Sequence, residues 1–591
     1  MLAAILRFWN LPQNGWGSPY YAAAVRSMRG SLSNFAFAAY DPAGFLSVDK
    51  PPLALWLQTL SSLLLGYHGL ALLLPEAIAG VLSVLVIYRL VRRSFGETAG
   101  FTAGLFLTST PITVAVDRLN LPDGPLTLTL LCASAVLLRA IRTGRVGALF
   151  ACALLLGLGF NIKMWESLIL APFFGLIYLL CATDSLQRRL VRLLAAGIVL
   201  TAVAFSWVLF VDSVPPSQRP YVGGSRNNSA MDLIFVYNGW DRLTGGKDQM
   251  SGKWLEPGGP LEYMGATPGF YAGAPGPFRL MGKALGPQVM WWFGLCLTGL
   301  VYLGWRWRDF GRERRAAILL WISWVVGFGV VFSVAGGTVH PYYVSVLAPA
   351  VAALGGIAVG EAWRHREEPR LFLPTALIVG ALLQAFLLRD FVSTHMILLT
   401  GPLVAVVAGS LTLWRRQARA FTVLALCGLC LCPLYWCWTA VAVPGNGLTP
   451  SSGPEIAAGG WRNPPPQMPV GFTRKLVSFL EKERRNERFV LATGGVYNAS
   501  PIIVETGLPV MALGGFMGSD PIVTPQQLIE YFQRGELRFF LIRFGDALPG
   551  NTYLPPLTVW VQEHCRWVDP EAWGEYYPGY GMEYMYLYDC Q

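Results

Sequence analysis

The chain has 591 residues; Lys, Arg, Asp and Glu make up 14% of it, the apolar set reaches 54%, and the mean hydropathy is +0.45. An average soluble protein is about one quarter charged, so a string of soluble domains is excluded, and so are collagen-like, disordered and disulfide-scaffold classes, since Gly and Pro show no period and 10 cysteines are sparse in this length. The net charge of +10 is not clustered on a polar surface, as nucleic-acid binding requires; the arginines sit between apolar runs.

In chain order, Met1 to Trp9 is apolar but covers only about 14 Å at 1.5 Å per residue, so it reads as the end of a first transmembrane helix that begins upstream. Residues 10 to 50 are dense in Asn, Gln, Trp, Tyr, Asp and Lys and close on Ser47-Val48-Asp49-Lys50-Pro51-Pro52, ahead of the apolar stretch Leu53 to Leu65. Twelve apolar runs of spanning length follow, near 69–91, 98–116, 122–139, 146–161, 165–182, 190–211, 289–305, 315–334, 342–360, 369–388, 395–413 and 419–443. Every second short loop between them is basic. One set holds nineteen arginines, from Arg92 and Arg93 to Arg415, Arg416 and Arg419; the alternate set holds Arg118, Lys163 and Arg389. Short cytoplasmic loops keep Lys and Arg, so residues 1–68, the loop at 117–121, the segment 212–288, the turn at 335–341 and everything after 444 are expected on the exported side of a plasma or inner membrane.

After residue 443 the texture turns soluble, giving an expected division into a transmembrane domain, 1–443, with exported loops 10–68 and 212–288, and an exported α/β domain, 444–591. Residues 472–486 read as an amphipathic helix, Phe489 to Ala492 as a strand, Pro509 to Leu513 as another, Gln526 to Arg534 as a helix and Phe539 to Arg543 as a third strand, an alternation that suggests a parallel sheet. Cys565 and Cys590 lie outside the apolar runs, and export would leave them either bridged or as two free thiols.

The candidate chemistry gathers in the exported loops. Prolines are tolerated in the first turn of a helix, so Lys50 stands at a helix start, where charge and dipole favour an anion, phosphate above all. Asp49 beside it either holds the lysine, binds a divalent metal or takes a proton. The loop Val116 to Pro125 brings Asp117, Arg118, Asn120 and Asp123, either as a polar headgroup site or as a capping aspartate beside an ion pair. Asn161, Lys163 and Glu166, then His340, Tyr342 and Tyr343, add polar groups at the same interface. Tyr237 and Asn238 lie in the mid-chain segment, which reads as part of the acceptor or sugar site or as a cover over helix ends.

These motifs together resemble a family. Asp41-Pro42-Ala43-Gly44-Phe45 before Asp49-Lys50-Pro51-Pro52, Asn161-Ile162-Lys163, Tyr221 to Ser225 with Asn227 to Ser229, Tyr237 to Gly239, His340 to Tyr343 and Gly518 to Pro521 look like a bacterial branch of the protein-mannosyltransferase and aminoarabinose-transferase superfamily. The resemblance implies the GT-C fold with about 12 to 13 transmembrane helices and a small exported α/β domain. It also implies an inverting glycosyltransferase that takes sugar from a polyprenyl-phosphate donor, with membrane lipid around it, to an acceptor whose identity the sequence leaves open. Under it Lys50 and Arg118 contact the donor phosphate, His340, Tyr342 and Tyr343 line the headgroup site with Asp117, Asp123, Lys163, Tyr237 and Asn238 contributing, and Asp49 stands where relatives carry a glutamate that holds a divalent ion. The superfamily's early acidic residue is replaced by Gly17-Ser18-Pro19, which leaves Asp49 or Asp41 as the expected base. The rival readings are a polytopic transporter or lipid flippase, and an inactive scaffold of the same fold.

Overall fold

The computed structural model describes residues 1–245, 272–365, 371–392, 395–414, 418–457, 470–516, 518–543, 553–574 and 585–591. Among them seven helices are long and apolar enough to cross a membrane: Gly69–Phe95, Asp123–Thr143, Val146–Lys163, Leu186–Ser213, Arg312–Val334, Pro341–Arg364 and Arg419–Ala442. Shorter apolar helices include Leu53–Leu65, Trp165–Cys181, Phe293–Trp305, Phe372–Leu388 and Met396–Thr412. The chain is a multi-pass helical membrane protein. Of the arginines from which an orientation is expected, Arg366, Arg370, Arg415 and Arg416 lie outside the described residues, as does part of the mid-chain segment, from 246 to 271.

Two expected spans are not single straight helices. The run at 98–116 consists of Glu97–Thr108 and Pro111–Asp117, bent by 62°. Pro111 has no N–H to give the ladder and holds Thr110 extended, so the first helix stops and a second starts in a new direction. The run at 165–182 divides into Trp165–Leu168 and Ala171–Cys181, with Pro172 in the first turn of the second piece. The bundle centres on the helix that ends in Ala348–Arg364. A Cβ on its Gly356 would meet Ala103, and one on Gly360 would meet Ala99, so small residues bring this helix against Glu97–Thr108 as close as two backbones allow.

The first long loop is itself structured. Pro19–Gly30 and Leu32–Phe37 are helical, and the chain then turns at Asp41 and runs extended through Ser47. There it pairs with the mid-chain segment: Ser47 N–H donates to the Tyr221 carbonyl (2.8 Å) and Tyr221 N–H to that of Phe45 (2.9 Å). Gly223 follows, where a Cβ would strike the Ser47 carbonyl oxygen, and Gly224 takes φ +78, so the glycine pair is what lets the two loops touch.

Past the last spanning helix, β1 (Leu491–Thr493), β2 (Val510–Ala512), β3 (Phe539–Arg543), β4 (Arg566–Trp567) and β5 (Met585–Asp589) form one sheet in the order β2-β1-β3-β5-β4. The first three strands are parallel, as the strand and helix alternation predicts. The last two are antiparallel and were not expected, so the sheet is mixed. Cys565 and Cys590 are joined by a disulfide at the β4 and β5 edge. This sheet domain rests on the first loop and on the mid-chain segment paired with it. The Tyr40 hydroxyl donates to the Val496 carbonyl (3.0 Å) and lies 2.7 Å from Ser500 Oγ, the Gly224 N–H donates to Asp520 (2.7 Å), and the Phe516 ring packs on Tyr20, 4.9 Å between centroids.

Candidate active site

Where the first loop, the mid-chain segment and the helix ends meet, a cavity of about 490 Å³ opens. Lys50, Lys163, Glu166, Asn238, Arg242 and Tyr343 border one part of it, and Ile169, Phe235, Trp240, Leu243, Val331 and Phe332 supply an apolar wall. Each polar group arrives through a local break in regular structure. Lys163 ends its helix because Met164 takes φ +50, a strained value for a side chain of this size, and the chain restarts at Trp165. Phe235, Tyr237 and Asn238 ride on a π-helix, Leu233–Trp240, a form that is rare and concentrated at functional sites. Arg242 is fixed when Gly337 donates its N–H to the Arg242 carbonyl (3.0 Å), while the arginine's own guanidinium donates to the Thr338 carbonyl (3.2 Å).

The charges divide into two groups. Lys50 Nζ sits 3.3 Å from Asp49 Oδ2, and Asp49, 1% exposed, accepts from the Tyr20 hydroxyl (3.2 Å) while its N–H donates back to the same oxygen (3.0 Å). Asn238 donates to the Asp49 carbonyl (3.3 Å). Burial opposes charge on Lys50, but the Asp49 carboxylate together with the Tyr21, Tyr343 and Tyr237 phenols outweighs it and holds the ammonium well above its usual range. Arg242 lies over the Tyr237 ring, 5.5 Å from its centre, and forms no ion pair among the described residues. Burial pushes the Tyr21 phenol beside Lys50 up to about 12, with Lys50 opposing.

The second group is acidic. Lys163 is shared between Asp123 (2.7 Å) and Glu166 (2.9 Å), with its ammonium 4.3 Å from the Tyr343 ring centre and 5.4 Å from that of Tyr342. Two carboxylates on one cation leave Asp123 Oδ2 and Glu166 Oε2 buried without a hydrogen-bond partner among the described residues. His340 stacks on Tyr342 (5.5 Å, 8° between planes) and meets Tyr343 edge-on, packing the aromatic side of this cluster.

Of the expected residues, Lys50, Lys163, Asn238 and Tyr343 line the cavity; Asp123 and Tyr342 pack against Lys163, His340 against Tyr342, Tyr237 under Arg242, and Asp49 against Lys50. Asp41, Asp117 and Arg118 do not join them. Asp41 is buried in its own turn and accepts from the N–H groups of Ala43, Phe45 and Leu46, each 2.9 Å, so its carboxylate serves the loop and not the cavity; burial pushes it up to about 6 against those three donors. Asp117 pairs with Arg7 (2.7 Å) inside the bundle. Arg118, expected at a donor phosphate, is 1% exposed and donates to the carbonyls of Leu6, Arg7, Trp9, Asn10 and Ala440, where it ties the first helix to the last spanning one. Asp49 meets a phenol, an ammonium and an amide, and among the described residues no three His, Cys, Asp or Glu side chains converge, so the donor set does not fit a divalent ion. Arg242 is the functional candidate that sequence reading missed; its signal was a cation one turn beyond Tyr237-Asn238-Gly239 in a loop already read as part of the site.

The sequence pattern described as dolichyl-phosphate-mannose-protein mannosyltransferase matches residues 49–208, and one described as "Putative mannosyltransferase YkcB-like, C-terminal" matches residues 476–564. The chain is 33% identical to "Putative mannosyltransferase YycA" of Bacillus subtilis, with 96% of this chain and 93% of that protein aligned. To "Putative mannosyltransferase YkcB" of the same organism it is 32% identical, with 97% and 91% aligned. In fold it is similar to ArnT from Cupriavidus metallidurans, in a crystal structure bound to undecaprenyl phosphate: TM-score 0.57 at 16% identity, covering all of this chain and 96% of that one. The chain belongs to the family of these mannosyltransferase relatives and is a multi-pass membrane glycosyltransferase with the GT-C fold of the protein-mannosyltransferase and aminoarabinose-transferase superfamily.

Proposed function

We propose that the chain moves a sugar from a polyprenyl-phosphate donor to an acceptor at the exported face of the membrane. One observation carries this reading: the cavity joins a cationic end, Lys50 and Arg242, to a long apolar wall, the shape and polarity of a phosphate head on a prenyl tail. The similarly folded ArnT, bound to undecaprenyl phosphate, supports the same ligand class. The arginine distribution and the Cys565–Cys590 disulfide, which an oxidising compartment preserves, support the exported placement and the division into 1–443 and 444–591.

In the proposed reaction the acceptor oxygen attacks the anomeric carbon, a new C–O bond forms, and the bond from that carbon to the donor phosphate breaks with inversion. The polyprenyl phosphate leaves with one more negative charge than the donor had, and Lys50 and Arg242 are placed to stabilise it more strongly than the ground state. Asp49 is the positioning residue that holds Lys50. The proton released by the acceptor goes to Glu166, which borders the cavity and whose buried Oε2 has no hydrogen-bond partner among the described residues. Glu166 thereby supplies the carboxylate that Gly17-Ser18-Pro19 lacks. Lys163, Asp123, Tyr342 and Tyr343 hold Glu166 and the sugar, and Tyr237 and Asn238 hold the loop over them.

The test uses full-length protein in lipid nanodiscs with radiolabelled polyprenyl-phosphate mannose, mannose being the sugar in the relatives' names. Release of polyprenyl phosphate with label appearing in water or an added acceptor is expected. No turnover of mannose, glucose, N-acetylglucosamine or aminoarabinose donors would overturn the reading.

A further inference from the structure

A second cavity, of about 400 Å³, lies at the opposite end of the bundle. Its walls come from Gly69–Phe95, Asp123–Thr143 and Arg312–Val334. Asp123, the first residue of the middle helix, holds Lys163 at the candidate active site; Arg139 and Arg142 stand 16 and 19 residues further along the same helix, about 24 and 28 Å away at 1.5 Å per residue. The two cavities are therefore separated by nearly the full thickness of the hydrocarbon.

Arg89, Arg93, Arg139 and Arg142 rim this cavity, Glu313 is the carboxylate among its lining residues, and Val86, Leu90, Val136, Leu138 and Ala316 give it an apolar interior. Four other arginines at this end have a carboxylate at close range, Arg92 with Glu97, Arg192 with Asp184, Arg306 with Asp309 and Arg364 with Glu361, while Arg145, Arg188, Arg308, Arg312 and Arg314 form no ion pair among the described residues. Among the described residues none of the four rim arginines forms an ion pair. Like charges gathered around an apolar hollow repel one another, and an arrangement of this kind is stable in a membrane when an anion sits between them. Three of the four are exposed and Arg142 is half-buried, so the opening faces the headgroup layer.

We infer that this cavity binds an anionic glycerophospholipid of the leaflet opposite the active site, one with two phosphates in its head, as in a cardiolipin-type lipid. Four guanidiniums against one carboxylate exceed what a single phosphate neutralises, and the forked donors of Arg suit phosphate oxygens. The acyl chains leave along Val86, Leu90 and Val136 into the bilayer, and the bound lipid braces three helices, two of which carry Asp123 and the cavity-wall residues Val331 and Phe332 at their other ends.

The experiment compares delipidated full-length protein in detergent with added cardiolipin, phosphatidylglycerol, phosphatidylcholine or undecaprenyl phosphate, following thermal unfolding and, by native mass spectrometry, retained lipid. Cardiolipin is expected to stabilise most and to be retained in wild type. The Arg139→Gln/Arg142→Gln variant is expected to retain at least tenfold less of it, while Arg139→Lys/Arg142→Lys, which keeps the charge, controls for misfolding and retains an intermediate amount. Equal stabilisation by phosphatidylcholine, undiminished cardiolipin in the Gln variant, or undecaprenyl phosphate binding best and losing its binding in that variant would each overturn the inference. Active-site binding of undecaprenyl phosphate through Lys50 is read separately, because Lys50→Ala leaves the cardiolipin response unchanged.

Discussion

Asp49 and Lys50 precede Pro51 and Pro52, and Asp117 and Arg118 stand close before Pro122; each is an acidic and basic couple a few residues ahead of a helix on the same end of the bundle. Their surroundings separate them. Lys50 leans on one carboxylate and still borders the 490 Å³ cavity, as does Arg242, which forms no ion pair among the described residues. Arg118 spends its donors on five backbone carbonyls, and Asp117 is closed off by Arg7. A cation can serve a ligand only where the fold leaves it donor capacity and open space, and neither is set by the residues next to it in the chain. On the proposed reading the Lys50 region is the site, and the Arg118 region a strut.

The largest effect is expected from Lys50→Ala combined with Arg242→Ala. Each removes a charge-assisted contact of about 1.5–3 kcal/mol, so transfer falls by about a hundredfold or more, with elution from a sizing column unchanged. Glu166→Gln keeps the shape and removes the proton acceptor; kcat is expected to drop about tenfold to a hundredfold with KM little altered, and a KM rise at constant kcat would make Glu166 a binding residue only. Arg118→Ala sharpens the other half of the comparison. It leaves several buried carbonyls without donors and is expected to lower stability by about 2–4 kcal/mol, seen as a lower thermal midpoint, while KM for the donor in the surviving folded protein stays as in wild type.

The smallest effect concerns the sheet domain, as a control distant from both couples. Burial raises the Asp589 carboxyl but the fork from Arg538 (2.9 and 2.8 Å) more than reverses it, so its pKa lies below the ordinary carboxylate value. A depressed folded pKa adds stability that is present above the unfolded value of about 4 and is lost as pH falls through the folded one. Thermal unfolding of wild type is therefore expected to weaken below about pH 4 more steeply than that of Asp589→Asn, and parallel curves would remove the pair from the account.

Composition and hydropathy made the helical bundle legible, because a spanning helix must be apolar over its whole length. The bend at Thr110-Pro111 was not drawn from the pattern, since apolar periodicity continues across it and only the missing N–H of Pro111 marks the break. Strand β5 alternates buried and less buried residues from Met585 to Asp589, yet its pairing with β3 and β4 is long-range, and local alternation does not state a partner. In the site, Lys50, Lys163, His340 and the tyrosines were readable from motifs at loop ends. Arg242 was not, because its place depends on Gly337 and Thr338, almost one hundred residues away. Asp41 and Arg118 misled for the same reason: their hydrogen-bond partners are backbone atoms, which leave no mark on the sequence.

The most direct test is a cryo-electron microscopy map of the full-length protein with undecaprenyl phosphate. The account predicts phosphate density within hydrogen-bond distance of Lys50 Nζ and the Arg242 guanidinium, with the prenyl tail running past Phe235, Trp240 and Phe332. Lipid bound with its phosphate away from both side chains, while this cavity holds only water, would contradict it.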